Sequence, residues 1–224
     1  EKPARALASA ARCGQGSSGI AHMWHMPGHI YSKLKRYHDS AWQQEASARV
    51  DHAHMMRDRV LPDQIHNFAH NNEWLTRNLN HLGRANDAVA LARNMIELPR
   101  HPKYNSLAKP DAPTEYGKRG SARYGRTRLL ETLLRYEMWD EIISASQTVY
   151  LEKTTILEEQ AKRLAAVGMA HYALGQGEKG IKILARLDEL KQRLEDMKLE
   201  AGAKAGADAL DGEKNDKEAK KART

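Results

Sequence analysis

The chain has 224 residues, of which 29% are charged, 6% are aromatic and one is cysteine, and its net charge is +7. A single cysteine excludes an internal disulfide framework and a metal site built from several thiolates. The composition favours helices over a β-sandwich, and no apolar run reaches the roughly 18 residues of a membrane span, so we expect a soluble all-α protein.

The first segment, residues 1–17, precedes the strong helical patterns, and we expect it to be flexible or to form the end of a helix. Its first residues lack the apolar region of a signal peptide. Because the sequence begins with Glu1 rather than Met, we expect the chain to be a piece of a longer protein. The sequence assigns no cellular compartment.

The stretch His22–Tyr37 carries two stripes at helical spacing. The apolar stripe consists of Trp24, Gly28, Tyr31 and Leu34. His22, His25 and His29 follow at i, i+3 and i+7, so they share a second face. We therefore expect one face of this helix to pack and the other to make functional contacts. Pro27 can disturb this arrangement, because it removes one backbone hydrogen bond and can kink or start a helix.

Four segments share one layout, in which a helical pattern, a short turn and a second helical pattern follow each other. The turns are predicted at 34–41, 82–89, 135–142 and 174–181. Gly83 and Gly175 stand where a helix would end in a left-handed cap. Asp39 and Asp87 fall in the first turn of the next helix, where a carboxylate complements the helix dipole. The pattern therefore predicts repeated helix hairpins.

These hairpins resemble the tetratricopeptide repeat family. Its W-x3-G-x2-Y-x5-Y motif is matched in this sequence by Trp24, Gly28, Tyr31 and Tyr37, with Ser40 at a small-residue position between helices. The phrases His22-x-x-His25-Met-Pro-x-His29-Ile-Tyr and His66-Asn-Phe-Ala-His70-Asn71 resemble a bacterial subgroup with an HMPSHIY-type histidine-rich segment. The resemblance implies an all-α solenoid of antiparallel helix hairpins, with about four irregular units.

The expected organisation has five parts. They are the N-terminal segment 1–17, a first pair of repeat-like units at 18–98, a proline-rich loop at 99–120, a second pair with an extended last helix at 121–199, and a disordered charged tail at 200–224. The tail is assigned because its composition, with a single Leu210, cannot bury enough apolar surface to offset chain entropy.

In arrays of this family the first helix of each unit lines a concave groove, and the resemblance implies which residues face a ligand. In this sequence these positions are His22, His25, His29, Ser32, Lys33, His70, Glu73 and Arg77. The resemblance therefore implies a scaffold that binds a protein or peptide segment in a histidine-lined groove, with Trp74 and Tyr31 as further anchors or as core residues.

The alternative function uses histidines as metal ligands. The pairs His25/His29 and His66/His70 would lie on neighbouring parallel helices, and imidazole suits Zn²⁺ and other borderline cations. Glu73 or an aspartate would complete or orient the ligand shell. The chain would then be a metal-binding module or a metal-dependent enzyme that uses Zn, Mn or Fe. No catalytic residue is assigned, and the sequence leaves both functions open.

A basic cluster precedes the third turn and consists of Lys118, Arg119, Arg123, Arg126 and Arg128. Such a cluster could contact nucleic acid or an acidic partner. No nucleic-acid-binding motif accompanies it, so the pattern favours a solvated loop that runs into a helix. We expect a protein or peptide partner rather than nucleic acid, and the oligomeric state stays open.

Overall fold

The structure is a computed structural model that describes residues 2–100 and 120–221. Every regular element within these ranges is a helix, which confirms the all-α prediction. The α-helices are α1 (Leu7–Gly16), α2 (Ala21–Lys33), α3 (Tyr37–Asp58), α4 (His66–His81), α5 (Ala85–Glu97), α6 (Ser121–Arg135), α7 (Trp139–Ala145), α8 (Leu157–Ala173) and α9 (Gly177–Lys221). Short 3-10 helices cover Pro3–Ala6, Pro62–Gln64 and Val149–Leu151. No described helix combines the length and the apolar character that crossing a membrane requires.

The chain divides into two compact units, Glu1–Thr155 and Ile156–Thr224. In the first unit consecutive helices from α1 to α7 pack against each other, and α4 also contacts α2 and α6. In the second unit α8 packs against α9. The expected division lay instead at 99–120, a segment of which residues 101–119 fall outside the described ranges. The observed boundary between the two units falls later because α6 packs against α4 and α5 and so belongs with the earlier helices.

The four predicted turns end their helices in one common way. Each turn contains one residue with a positive φ close to the end of the helix: 58° at Lys35, 75° at Gly83, 53° at Glu137 and 71° at Gly175. The following N–H donates to the carbonyl oxygen five residues earlier, over 2.8–3.0 Å. This bond is typical of the Schellman cap, so the left-handed caps predicted at the two glycines are confirmed. Asp39 and Asp87 also lie in first turns as predicted.

Polar side chains join α2 to α3. Ser40, Gln44 and Ser47 lie on one face of α3 and are fully buried. Each donates to a carbonyl oxygen of α2: Ser40 Oγ to Gly28 at 2.8 Å, Gln44 Nε2 to His25 at 3.3 Å, and Ser47 Oγ to Ala21 at 2.7 Å. Gly28 permits this close approach, because a Cβ there would collide with the Gln44 amide. We term these three bonds the polar seam, and they fix the height and rotation of α2.

Both ends of the chain contain helices. In the N-terminal segment Leu7–Gly16 forms α1, whose Gly14 packs against the Trp24 ring. At the other end α9 continues through Lys221, where we expected a disordered tail after residue 199. The reason is that Ala, Lys and Glu dominate this segment and are strong helix formers even without an apolar stripe.

Candidate metal centre

Helices α2 and α4 bring three imidazole rings together. α2 continues through Pro27, so His25 and His29 keep the spacing of one helical turn, with ring centroids 4.4 Å apart. The His70 ring of α4 lies 4.9 Å from that of His25. One possible ligand nitrogen of each residue lies within 4.8 Å of the other two. We term His25, His29 and His70 the histidine triad.

Two further histidines lie beside the triad without joining it. His66 was predicted as a fourth metal ligand, but it is exposed and its ring stacks on that of His70, with centroids 5.5 Å apart. His22 is also exposed and stacks on His25 at 5.7 Å. Both residues lie about one turn nearer the start of their helices. The structure therefore brings together three of the four predicted ligands.

Burial keeps His25 and His29 of the triad uncharged near neutral pH. His25 is only 2% exposed. Its pKa is lowered from 6.5 to about 4 by burial and by the neighbouring His29, although a hydrogen bond to Gln44 opposes this shift. Burial and the nearby His70 also lower the pKa of His29. Since only an unprotonated imidazole nitrogen can bind a metal, these shifts favour metal binding.

Two triad residues have their Nδ1 atoms held by oxygen acceptors. His25 Nδ1 lies 2.8 Å from Gln44 Oε1, and His70 Nδ1 lies 3.0 Å from Glu73 Oε2. Gln44 Nε2 is committed to the His25 carbonyl oxygen, so its amide oxygen must face the ring. Amide and carboxylate oxygens accept, so Nδ1–H is the donor in both contacts and Nε2 is the remaining nitrogen of each ring. Metal-bound histidines in proteins are usually oriented by this kind of hydrogen bond.

Glu73 is buried between two partners. It accepts the hydrogen bond of His70 and forms an ion pair with Arg128 of α6, whose side chain is only 15% exposed. Burial alone would raise the pKa of Glu73, but the hydrogen bond from His70 and the charge of Arg128 outweigh it and lower the pKa. Glu73 is therefore an anion that contacts His70, and its predicted role in a metal-ligand shell stays a prediction.

A second buried carboxylate lies on α3 and contacts α4. Asp51 Oδ2 accepts hydrogen bonds from Asn67 Nδ2 and Asn71 Nδ2, each over 2.8 Å. Burial raises the pKa of Asp51. Because Asn71 directly follows His70, this contact holds the backbone of α4 on α3 next to the triad.

No protein-family model and no curated protein matches this chain. The resemblance to tetratricopeptide repeats stays a prediction.

The remaining predicted groove residues surround the triad. The Arg77 guanidinium lies 4.8 Å from the centroid of the Trp74 ring, and that ring meets His29 edge-on at 4.3 Å. Lys33 is exposed, and its charge contributes to the lowered pKa of His29. Ser32 is half-buried. The structure thus places Trp74, Arg77 and Lys33 beside the triad, and the role of the groove residues in partner binding stays a prediction.

The basic cluster is largely neutralised where the structure describes it. Arg126 pairs with Glu152, and Arg128 pairs with Glu73 and Glu131. Lys118 and Arg119 lie outside the described residues. The expectation of a protein or peptide partner rather than nucleic acid stays a prediction.

Gln44 and Arg128 were not predicted as parts of the centre. Gln44 gave one signal, since it lies four and three residues from Ser40 and Ser47 and completes a polar stripe on a helix. Arg128 gave no such signal, because its partner Glu73 is 55 residues away in the sequence.

Proposed function

We propose that this chain is a metal-binding module whose histidine triad holds a divalent cation. The observation that carries the proposal is the convergence of three imidazole nitrogens within 4.8 Å of one another. Three protein ligands leave a fourth coordination position for water or a substrate, as in catalytic zinc sites. An all-imidazole ligand set favours Zn²⁺ or Cu²⁺ over Mn²⁺, which prefers carboxylate and water ligands.

The size of the triad fits this proposal. With Zn–N distances of about 2.0–2.1 Å, tetrahedral ligand nitrogens lie about 3.4 Å apart. The largest separation among the triad nitrogens therefore needs to close by about 1.4 Å. Rotation of the half-buried His29 ring can supply most of this change, because His25 and His70 are each held by a hydrogen bond at Nδ1. The buried His25 is fixed by Gln44 and would act as the rigid side of the centre.

Elemental analysis tests the proposal. We expect about one Zn or Cu per purified chain, loss of this metal in the variants His25→Ala and His70→Ala, and retention in the matched control His38→Ala, which removes an exposed histidine. Adding Zn²⁺ to the protein after a chelator has removed its metal should raise its melting temperature, because the metal binds the folded state preferentially. If the protein carries no stoichiometric metal and Zn²⁺, Cu²⁺, Mn²⁺ and Fe²⁺ all leave the melting temperature unchanged, the proposal is wrong.

For the architecture we infer a tetratricopeptide-like array of helix hairpins. Support comes from the four equivalent caps and from the contacts of α4 with both α2 and α6, since such arrays place the first helices of successive hairpins side by side. Burial of Gly28, Tyr31 and Ser40, three positions tied to the family's motif, agrees with this inference.

A peptide-binding scaffold is the second candidate function. It is favoured by the exposed polar rim around the triad, in which His22 and Lys33 are solvent-accessible and Arg77 stacks on Trp74. The two functions can be separated with an array of immobilised twelve-residue peptides that is probed with the metal-free protein. A scaffold predicts saturable binding that weakens in Arg77→Ala and Lys33→Ala, whereas a module that binds metal alone predicts no dependence on these residues.

A further inference from the structure

We propose that Arg128 is a positioning residue of the metal centre, which holds Glu73 so that Glu73 holds His70 in its metal-binding orientation. This inference rests on the proposed metal-binding function. It extends the centre from the two histidine-bearing helices to α6, which carries no triad residue.

The two carboxylate oxygens of Glu73 contact different partners. Glu73 Oε2 accepts from His70 Nδ1 at 3.0 Å, while Glu73 Oε1 accepts from the Arg128 guanidinium. Each oxygen therefore has its own partner, and the carboxylate plane is fixed from both sides. Because the Glu73 and Arg128 side chains are only 11% and 15% exposed, solvent can replace little of their ion pair.

Removing the guanidinium would leave a buried carboxylate without its countercharge. Such a group is strongly unfavourable, and Glu73 would lower its energy by turning towards solvent. His70 would then lose the acceptor that fixes its ring orientation and selects Nε2 as the ligand atom. Loss of the acceptor behind a ligating histidine typically weakens metal binding by about 10-fold to 100-fold.

The contact between α4 and α6 does not depend on Arg128 alone. Asn80 Nδ2 donates to Thr132 Oγ1 at 2.8 Å, and the Tyr136 hydroxyl donates to the Asn80 carbonyl oxygen at 2.7 Å. Gly125 brings α6 close to Ala92 of α5. These contacts should keep α6 in place when Arg128 is changed. A positioning role can therefore be separated from a purely structural one.

The test measures Zn²⁺ affinity of the full chain by competition with a chromophoric chelator, and the visible spectrum of the Co²⁺ form. We expect Arg128→Met to weaken Zn²⁺ binding about 10-fold to 100-fold and to change the Co²⁺ spectrum. Arg128→Lys, which keeps the positive charge, should restore part of the affinity. The matched control is Arg126→Met, which removes another ion-paired arginine from the same helix and should leave Zn²⁺ affinity within about twofold.

A double-mutant cycle identifies the route of the effect. If Arg128 acts through Glu73, then Arg128→Met should cause no further loss of affinity in a Glu73→Ala background, because coupled residues are not additive. Full additivity would overturn the proposal, and so would Zn²⁺ affinity of Arg128→Met within twofold of the unmodified chain. If Arg128→Met does not fold, Arg128→Gln supports the same comparison. An unmodified chain that binds neither Zn²⁺ nor Co²⁺ would instead overturn the metal-binding function itself.

Discussion

Acid should destabilise the metal-free protein through His25 well above the pH at which ordinary carboxylates titrate. The pKa of this residue is about 4 in the folded chain, against 6.5 for a free histidine side chain. Between these values the unfolded chain binds a proton at His25 and the folded chain does not. The contribution of the uncharged His25 to stability is therefore fully present above pH 6.5 and is lost as the pH falls towards 4.

The magnitude follows from the two pKa values. A difference of one pKa unit corresponds to about 1.4 kcal/mol. The free energy of unfolding therefore falls by about 3 kcal/mol over the whole window, and by about 2 kcal/mol between pH 7 and pH 5. This is a large fraction of the roughly 5–15 kcal/mol that stabilises a typical domain. His29, whose pKa is also lowered, adds to the loss, whereas Asp51, whose pKa is raised, opposes it.

Urea denaturation with a chelator present, at pH 7, 6 and 5, measures this effect. The variant His25→Gln removes the titrating group and keeps a polar side chain beside Gln44. We expect the free energy of unfolding of the unmodified chain to fall by about 2 kcal/mol more than that of the variant. His38→Gln, at an exposed position, should behave like the unmodified chain. Equal pH dependence of the unmodified chain and His25→Gln would refute the reasoning.

Two further predictions concern the backbone. Lys35→Gly and Glu137→Gly should each stabilise the chain by about 0.5–1 kcal/mol in urea denaturation, because both residues adopt a left-handed conformation that glycine tolerates best, whereas Gly83→Ala should destabilise it. Gly125→Ala should cost about 1–3 kcal/mol and lower the melting temperature, because its Cβ would lie 2.7 Å from the Ala92 carbonyl oxygen. A gain in stability of Gly125→Ala would contradict this expectation. The control is Gly202→Ala in α9, because a Cβ at Gly202 would have nothing within 4 Å.

The hairpins were predictable because their signals are local. Gly83 and Gly175 indicate left-handed caps by residue type alone, and the structure confirms both. Lys35 and Glu137 adopt the same conformation without such a signal, so only their equivalent place in the repeated layout indicated a turn. Pro27 indicated a possible break, but α2 continues through it, and the polar seam supplies hydrogen bonds to neighbouring carbonyl groups of that helix.

The candidate centre was only partly predictable because it depends on contacts between helices. Helical spacing placed His25 and His29 on one face, and the resemblance placed His70 opposite them. The same spacing also predicted His66 as a ligand, whereas its exposed ring stacks on that of His70 beside the triad, because periodicity gives the direction of a side chain but not its height relative to the next helix. Arg128 could not be found from the sequence, since its contact with Glu73 exists only after α6 has packed on α4.

The polar seam between α2 and α3 has a consequence for evolution and design. Apolar side chains pack with many near-equal offsets, but hydroxyl and amide donors accept only one alignment with the carbonyl groups opposite them. Replacing Ser40, Gln44 and Ser47 with alanine and leucine could therefore keep the two helices associated and still allow one to slide along the other. We expect such a protein to retain its helicity while its imidazole nitrogens no longer meet at a common point.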